Sequence, residues 1–364
     1  MLGGRAMEIV WDADDLARYL RETAGVVTPE HPVLVDRYLE AALELDVDAV
    51  SDGRETVICG VMQHIEEAGS TPATAPACCR PFSSPPSSGS GSPTSPAPCP
   101  ARSRWSADER QLALRDGELY VLEVNPRASR TIPFVSKATG VPWVDVATRC
   151  LVGRTLAEQR VAEPGDPPHF AVKAVVFPFS RFEGVNPFLG PEMRSTGEVM
   201  GIAPTFDEAY SKALYAAGIH LPPPGSGRVF LSVHDRDKAR ALPVARRLVE
   251  LGFGLVATSG TRAFLAEHGV DSEPVFKVNE GRPNVVDRML NGDLQLLVNT
   301  PLGRESHYDE RVVGETAHRL GLPLITALSA AEAALGAIAR IGTRPLAPVK
   351  LQELARGEAL LPIG

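Results

Sequence analysis

The chain has 364 residues, 44% hydrophobic and 23% charged, which is the balance of a globular protein and enough length for two cored domains. A formal net charge of −8 gives no electrostatic basis for a nucleic-acid or anionic-membrane partner. No apolar run approaches the ~20 residues of a membrane span. The start, MLGGRAMEIVWDADD, lacks the apolar stretch behind a basic head that marks a signal peptide, so a cytoplasmic location is expected.

In chain order, MEIVW reads as a strand and DADDLARYLRETA as a helix opening on an acidic cap. HPVLVDRYL, ELDVDAVSDG and ETVICGVMQ are β-rich, and Asp52-Gly53 is a hairpin signal. Residues 70–104, STPATAPACCRPFSSPPSSGSGSPTSPAPCPARSR, then interrupt the pattern with Ser, Pro, Ala and Gly. The strand DGELYVLEVN follows, then helices over PWVDVATRCLVG and TFDEAYSKALYAAG, the second opened by Thr205 and closed by Gly218. IHLPPPGSGR is a linker by composition. Beyond it, RVFLSV, FGLVAT, LQLLVNT and PLITAL alternate with amphipathic helices, which implies a parallel sheet covered on both faces. None of the five cysteines (59, 78, 79, 99 and 150) has the spacing of a zinc site, and Cys59 and Cys150 read as small buried residues.

The segment LYVLEVNPRASRT carries chemistry. Period-2 geometry puts Glu123 and Asn125 on one face of a strand, and Arg127 and Arg130 follow in the loop. An acid and an amide beside two guanidiniums suit Mg²⁺ with polyphosphate, because magnesium takes oxygen ligands and leaves positions for phosphate. A hairpin with a solvated face accounts for the same residues.

GGRAMEIV, LEVNPRASRTIPFVSKATGVP, GPEMRSTGEVMGI and LSVHDRDKAR…ATSGT…NEGRPN…VNTPLGR resemble the C-terminal part of the carbamoyl-phosphate synthase large subunit. The resemblance implies a partial ATP-grasp α+β domain over 1–221, a linker at 222–227, and a Rossmann-like, methylglyoxal-synthase-like regulatory domain over 228–364. It implies ATP with Mg²⁺ or Mn²⁺, and phosphorylation of carbamate to carbamoyl phosphate for pyrimidine and arginine biosynthesis. By position, Gln111, Glu123 and Asn125 match metal ligands, and Arg127 and Arg130 face the transferred phosphate. Arg5, Arg37 and Glu44 match nucleotide contacts. The implied partners are a glutamine amidotransferase small subunit and the N-terminal half of the large subunit. With that half absent, the isolated chain is expected to be inactive.

The same resemblance explains the odd stretch. The family continues after HIEEAG with a string of the type Ile-His-Ser-Gly-Asp-Ser-Ala-Cys-Val-Leu-Pro-Pro. Written in GC-rich codons and read one base late, that string gives the Ser-Thr-Pro-Ala-Thr-Ala-Pro-Ala of residues 70–77. Asp108-Glu109-Arg110 can likewise be read as shifted codons for Leu-Met-Asn-Val. Residues 70–110 are therefore expected to be a frameshifted, disordered translation.

In the distal domain, the Ala257–Thr261 turn offers backbone N–H groups at a helix N-terminus, a place for a phosphate. Lys238, Lys277 and Asn299 match the family's nucleotide-monophosphate contacts, Thr258 and Thr261 lie in the turn, and Thr326 matches a further effector position. Two other readings stay open. One is an effector-binding module without catalysis. The other is methylglyoxal synthase, whose catalytic Gly-Gly-Asp is missing where NEGRPN stands.

Overall fold

The computed structural model describes residues 9–10, 12–22, 33–39, 42–66, 76–80, 107–165, 167–176, 197–300, 307–343 and 345–355. The side chains of 307–310 and 355 are outside that description. Helix α1 spans Ala13–Glu22. Residues 33–39 form no strand, and Leu34 and Val35 are exposed, which corrects the β reading of HPVLVDRYL. An apolar, β-branched run becomes a strand only where a neighbour supplies the ladder.

Seven strands form one antiparallel sheet: β1 (Leu43–Ser51), β2 (Thr56–His64), β3 (Ala77–Cys78), β4 (Ala107–Arg115), β5 (Glu118–Asn125), β6 (Phe170–Val176) and β7 (Gly197–Ala203), in the order β5-β4-β1-β2-β3-β6-β7. The β1–β2 hairpin closes as its Asp52-Gly53 predicts. Asp52 Oδ1 accepts from the N–H groups of Arg54 and Glu55, both at 2.8 Å, and Gly53 takes φ 84°. At the β4–β5 turn Asp116 and Gly117 both have positive φ, as a two-residue hairpin of this hand requires. The expected disorder of 70–110 is corrected for the described part of that stretch. Ala77 and Cys78 pair with both β2 and β6, and Ala107–Arg110 pair with β1. Their backbone groups complete the sheet's ladder whatever side chains they carry. Residues 81–106 lie outside the described residues.

Register assigns the two faces. Val121, Leu112, Leu45, Gln63, Cys78, Val172 and Gly201 stand opposite one another in a single row across all seven strands. Over β6 and β7 this face is closed by α5 (Phe206–Ala216) and α10 (Leu328–Arg340), which pack Ala209, Tyr210, Ala213, Ala330, Ala334 and Ala337 on it. Gly201 permits that approach, since a Cβ there would strike the Ala209 carbonyl. The other face receives α2 (Ile132–Thr139) and α3 (Trp143–Leu151), which bury Val50, Cys59 and Met62 with Ile132, Val135 and Trp143. α4 (Leu156–Gln159) opens on a capping box between Thr155 and Glu158.

The second sheet is parallel, with strands β8 (Arg228–Val233), β9 (Gly254–Ala257), β10 (Glu273–Pro274), β11 (Leu294–Thr300) and β12 (Leu324–Ile325) in the order β10-β9-β8-β11-β12. Its helices are α6 (Lys238–Glu250), α7 (Ser259–Glu267), α8 (Val285–Leu290) and α9 (His307–Leu320). α10 also contributes Ala331, Leu335 and Ile338 to this sheet's core, beside Val229, Leu231 and Leu255. One alanine-rich helix thus serves both sheets, one on each side. The last helix, α11 (Leu351–Ala355), returns to α2, where Leu351 and Leu354 pack.

Candidate functional site

On the α2-covered face of the first sheet, polar residues collect at the β5-β4-β1 end. Glu123, Gln111, Asp46 and Met62 form one row, and Asn125, Glu109, Asp48 and Gly60 form the next. A bulge in β5 between these rows and Val121 keeps Glu123 opposite Gln111. Asn125 Nδ2 donates to Glu123 Oε1 at 2.7 Å. Arg127 donates from Nη1 to Glu109 Oε2 at 2.9 Å. Thr131 Oγ1 donates to Asp48 Oδ2 at 2.7 Å, and Ser129 Oγ accepts from the N–H groups of Thr131 and Ile132. These bonds fix the loop from Arg127 to Arg130 against the sheet and start α2 directly behind it. His64 Nε2 lies 2.9 Å from Asp46 Oδ2, and its Nδ1 lies 3.6 Å from Glu44 Oε2.

Negative charge is held out of water here. Burial pushes the Glu44 carboxyl up to about 7; His64 opposes this, while Asp46 and Glu123 reinforce it. Burial raises Asp48 to about 6 against the hydrogen bonds of Ser129 and Thr131, and raises Glu109 against Arg127. Burial alone would lower His64, but the charge and hydrogen bond of Asp46, with Glu44, leave it above its ordinary value. Among the described residues, Asp46 Oδ1 and Asp48 Oδ1 are buried without a hydrogen-bond partner.

The structure therefore brings Glu44, Gln111, Glu123, Asn125 and Arg127 to one flank of one face. Arg130 is exposed in the same loop. Arg37 is exposed too, close enough to Tyr120 on β5 for its charge to act on that phenol. Arg5 lies outside the described residues. Sequence reasoning missed Asp46, Asp48, Glu109 and His64. The signal was present in Glu44, Asp46 and Asp48, acids at every second residue of a strand, which alternation places on one face. Among the described residues no group of three or more His, Cys, Asp or Glu side chains is arranged to hold a metal ion. The oxygen set of Gln111, Glu123 and Asn125 contains one carboxylate and two amides, so it is of another kind and fits a hard divalent ion that keeps positions for phosphate.

A second cluster lies at the C-terminal edge of the parallel sheet. The chain order reverses between β8 and β11, and the crevice outside such a reversal is where open α/β sheets bind ligands. Asn299 is opposite Ser232 there. Ser232 Oγ is 3.2 Å from Thr258 Oγ1, and the Val233 N–H donates to Thr261 Oγ1 at 3.1 Å. Both threonines are buried and tie β8 to α7. The Thr258 side chain makes no capping bond, which leaves the first N–H groups of α7 for another acceptor. Lys238 Nζ overlies Gly260 in that first turn, 3.4 Å from where a Cβ would sit. Lys238 also pairs with Asp235 at 2.7 Å, and Lys277 is near enough to help hold the Asp235 carboxyl below its ordinary range. Thr326 is exposed just past β12 on the same edge.

Residues 107–159 match the family of the carbamoyl-phosphate synthase L chain, ATP binding domain, and residues 240–326 match the MGS-like domain family. The chain is 44% identical over 363 residues to the carbamoyl phosphate synthase large chain, C-terminal section, of Aquifex aeolicus, covering 94% of this chain and 66% of that protein. It is 47% identical over 363 residues to the carbamoyl phosphate synthase large chain of Gemmatimonas aurantiaca, covering 97% of this chain and 32% of that one. With the large chain of Archaeoglobus fulgidus the identity is 44% over 367 residues, covering 97% and 33%. The chain spans about a third of the length of these full-length relatives. Among the described residues, no helix is long and apolar enough to cross a membrane.

Proposed function

Because the chain belongs to the carbamoyl phosphate synthase large-chain family and corresponds to its C-terminal section, we propose that its seven-stranded sheet is half of an ATP site that phosphorylates carbamate. The observation that carries this reading is the row of Glu123 and Gln111 beside Asn125, with Arg127 at its end. Gln111, Glu123 and Asn125 would hold Mg²⁺ or Mn²⁺, which would supply charge neutralisation to a polyphosphate. Arg127 and Arg130 present guanidinium forks to a phosphoryl group, and Arg5, Arg37 and Glu44 serve the nucleotide. The buried Asp48–Thr131 bond positions the arginine loop, and misplacement by about 1 Å costs ~10²-fold in such transfers.

The isolated chain is proposed to lack the complete reaction, which needs the remaining two thirds of the large chain and an amidotransferase small subunit. One local feature adds to this. Glu109 takes an Arg127 N–H that phosphate would otherwise take. Calorimetry or Mn²⁺ paramagnetic resonance with ATP tests the site: Glu123→Gln should abolish metal-dependent nucleotide binding. Carbamoyl phosphate formed by the purified chain at a catalytic rate would overturn its proposed inactivity alone.

The second reading, an effector-binding module, is favoured by the uncapped α7 turn under Lys238, whose partner Asp235 also feels the charge of Lys277. A nucleotide monophosphate is its proposed ligand, and titration of the whole chain with UMP and IMP tests it. Absence of heat with both would leave this edge without that role.

A further inference from the structure

Between α5, the end of α10 and the linker that joins the two sheets lies a cavity of about 260 Å³. Glu208, Ser211, Leu214 and Tyr215 line it from α5, a spacing that makes one stripe of the helix. α10 leaves this stripe open, because it ends at Arg340 and Ile341 turns into extended backbone with φ −62° and ψ 128°. Ile219 of the linker and Leu346 beyond α10 complete the walls. None of these residues belongs to the acidic face of the first sheet or to the β8–β11 crevice.

The walls are apolar yet open to water. Tyr215 is 62% exposed, Leu346 43% and Ile219 39%. Large apolar side chains held apart around a concavity are the usual lining of a small-molecule site. Size limits the guest: a cavity of about 150 Å³ admits benzene, so this one has room for two fused rings. The rings of Tyr215 and His220 meet edge-on, with centroids 5.0 Å apart and planes at 69°, which fixes Tyr215 as a flat wall.

The polar side chains here are only partly used. Ser211 Oγ donates to the Asp207 carbonyl at 2.8 Å, and Lys212 Nζ donates to the Ile202 carbonyl at 2.9 Å. Lys212 also pairs with Glu208 Oε1 at 3.0 Å. Glu208 Oε2 and Arg340 Nη2 stand 3.5 Å apart, beyond a good hydrogen bond, and the Arg340 guanidinium donates to no other group among the described residues. An acceptor and a donor thus stand side by side with bonding capacity left. Lys212 and Arg340 balance Asp207 and Glu208, so the site leaves no net charge for an ion to answer.

We infer that this cavity binds an uncharged, planar, fused-ring lactam, its N–H donating to Glu208, its carbonyl accepting from Arg340 and its rings lying against Tyr215. A ring forces the amide N–H and C=O to the same side, which matches the adjacent acceptor and donor. An open-chain amide is trans and points them apart. The occupant would join α5 to the linker and to α10, the helix that serves both cores.

Calorimetry of the whole chain with oxindole, an uncharged bicyclic lactam, tests the site. A ligand of that size should bind with a dissociation constant of roughly 0.1–1 mM. N-methyloxindole keeps the shape and loses the N–H, and should bind at least ~10-fold more weakly; Arg340→Met should weaken oxindole by a similar factor. Ile219→Trp, which fills the cavity from the linker, should abolish binding without lowering the melting temperature. An excess of UMP should not displace oxindole. No heat with oxindole up to about 10 mM, equal affinity for the two lactams, full affinity in Arg340→Met, or displacement by UMP would overturn the assignment.

Discussion

Glu44→Gln tests the electrostatics of the acidic face. Glu44 is 4% exposed, and burial lifts its carboxyl from an ordinary 4.5 to about 7. The folded state therefore retains a proton that the unfolded chain gives up. This contribution to stability is complete below pH 4.5 and is lost as pH rises through about 7. A shift of roughly two and a half pH units corresponds to about 3 kcal/mol. Glutamine has the same shape and no charge to desolvate, so at pH 8 the variant should be more stable by about 2–3 kcal/mol, the lower figure allowing for lost attraction to His64. At roughly 2–4 °C per kcal/mol, melting should rise by about 4–12 °C. At pH 4.5, where the carboxyl is protonated when folded, the two proteins should melt nearly together. Trp143 fluorescence reads this unit, because that side chain is fully buried in the core between α2, α3 and the sheet. Equal shifts at both pH values, or destabilisation at pH 8, would show that burial does not dominate at Glu44.

Asp46→Asn leaves His64 buried beside a neutral partner, and breaking a buried pair costs about 3–5 kcal/mol. Since the His64 value is raised when folded, the pair stabilises below about pH 6.5 and fades as pH climbs past the folded value; urea melts should show a larger deficit at pH 6 than at pH 9. Gly201→Ala should cost about 1–3 kcal/mol by driving α5 off β7, seen as a lower melting midpoint. Lys277→Ala should weaken nucleotide-monophosphate binding by about 1.5–3 kcal/mol in calorimetry and flatten its dependence on salt.

The one-dimensional pattern determined much here. β-rich composition marked β1 and β2, Asp52-Gly53 marked a hairpin, DGELYVLEVN marked β5, and strand–helix repetition beyond residue 227 marked the parallel sheet, because each signal depends on residues close in sequence. Glu123 and Asn125 were legible as a pair for the same reason: two residues apart on a strand means one face. Other features needed the assembled sheet. Gln111 meets Glu123 only through the β4–β5 register, and Asp46 joins them only because β1 lies on the far side of β4. The raised carboxyls of Glu44 and Asp48 follow from burial, which no local pattern reports. Leu34 and Val35 read as a strand but found no neighbour to pair with. The service of α10 to two cores could not be read from its alanines, since small residues permit close packing on both sides without saying what packs there. The odd composition of 70–110 was plain in the sequence, whereas the pairing of Ala77–Cys78 between β2 and β6 and of Ala107–Arg110 beside β1 became visible only when tertiary structure brought those strands together.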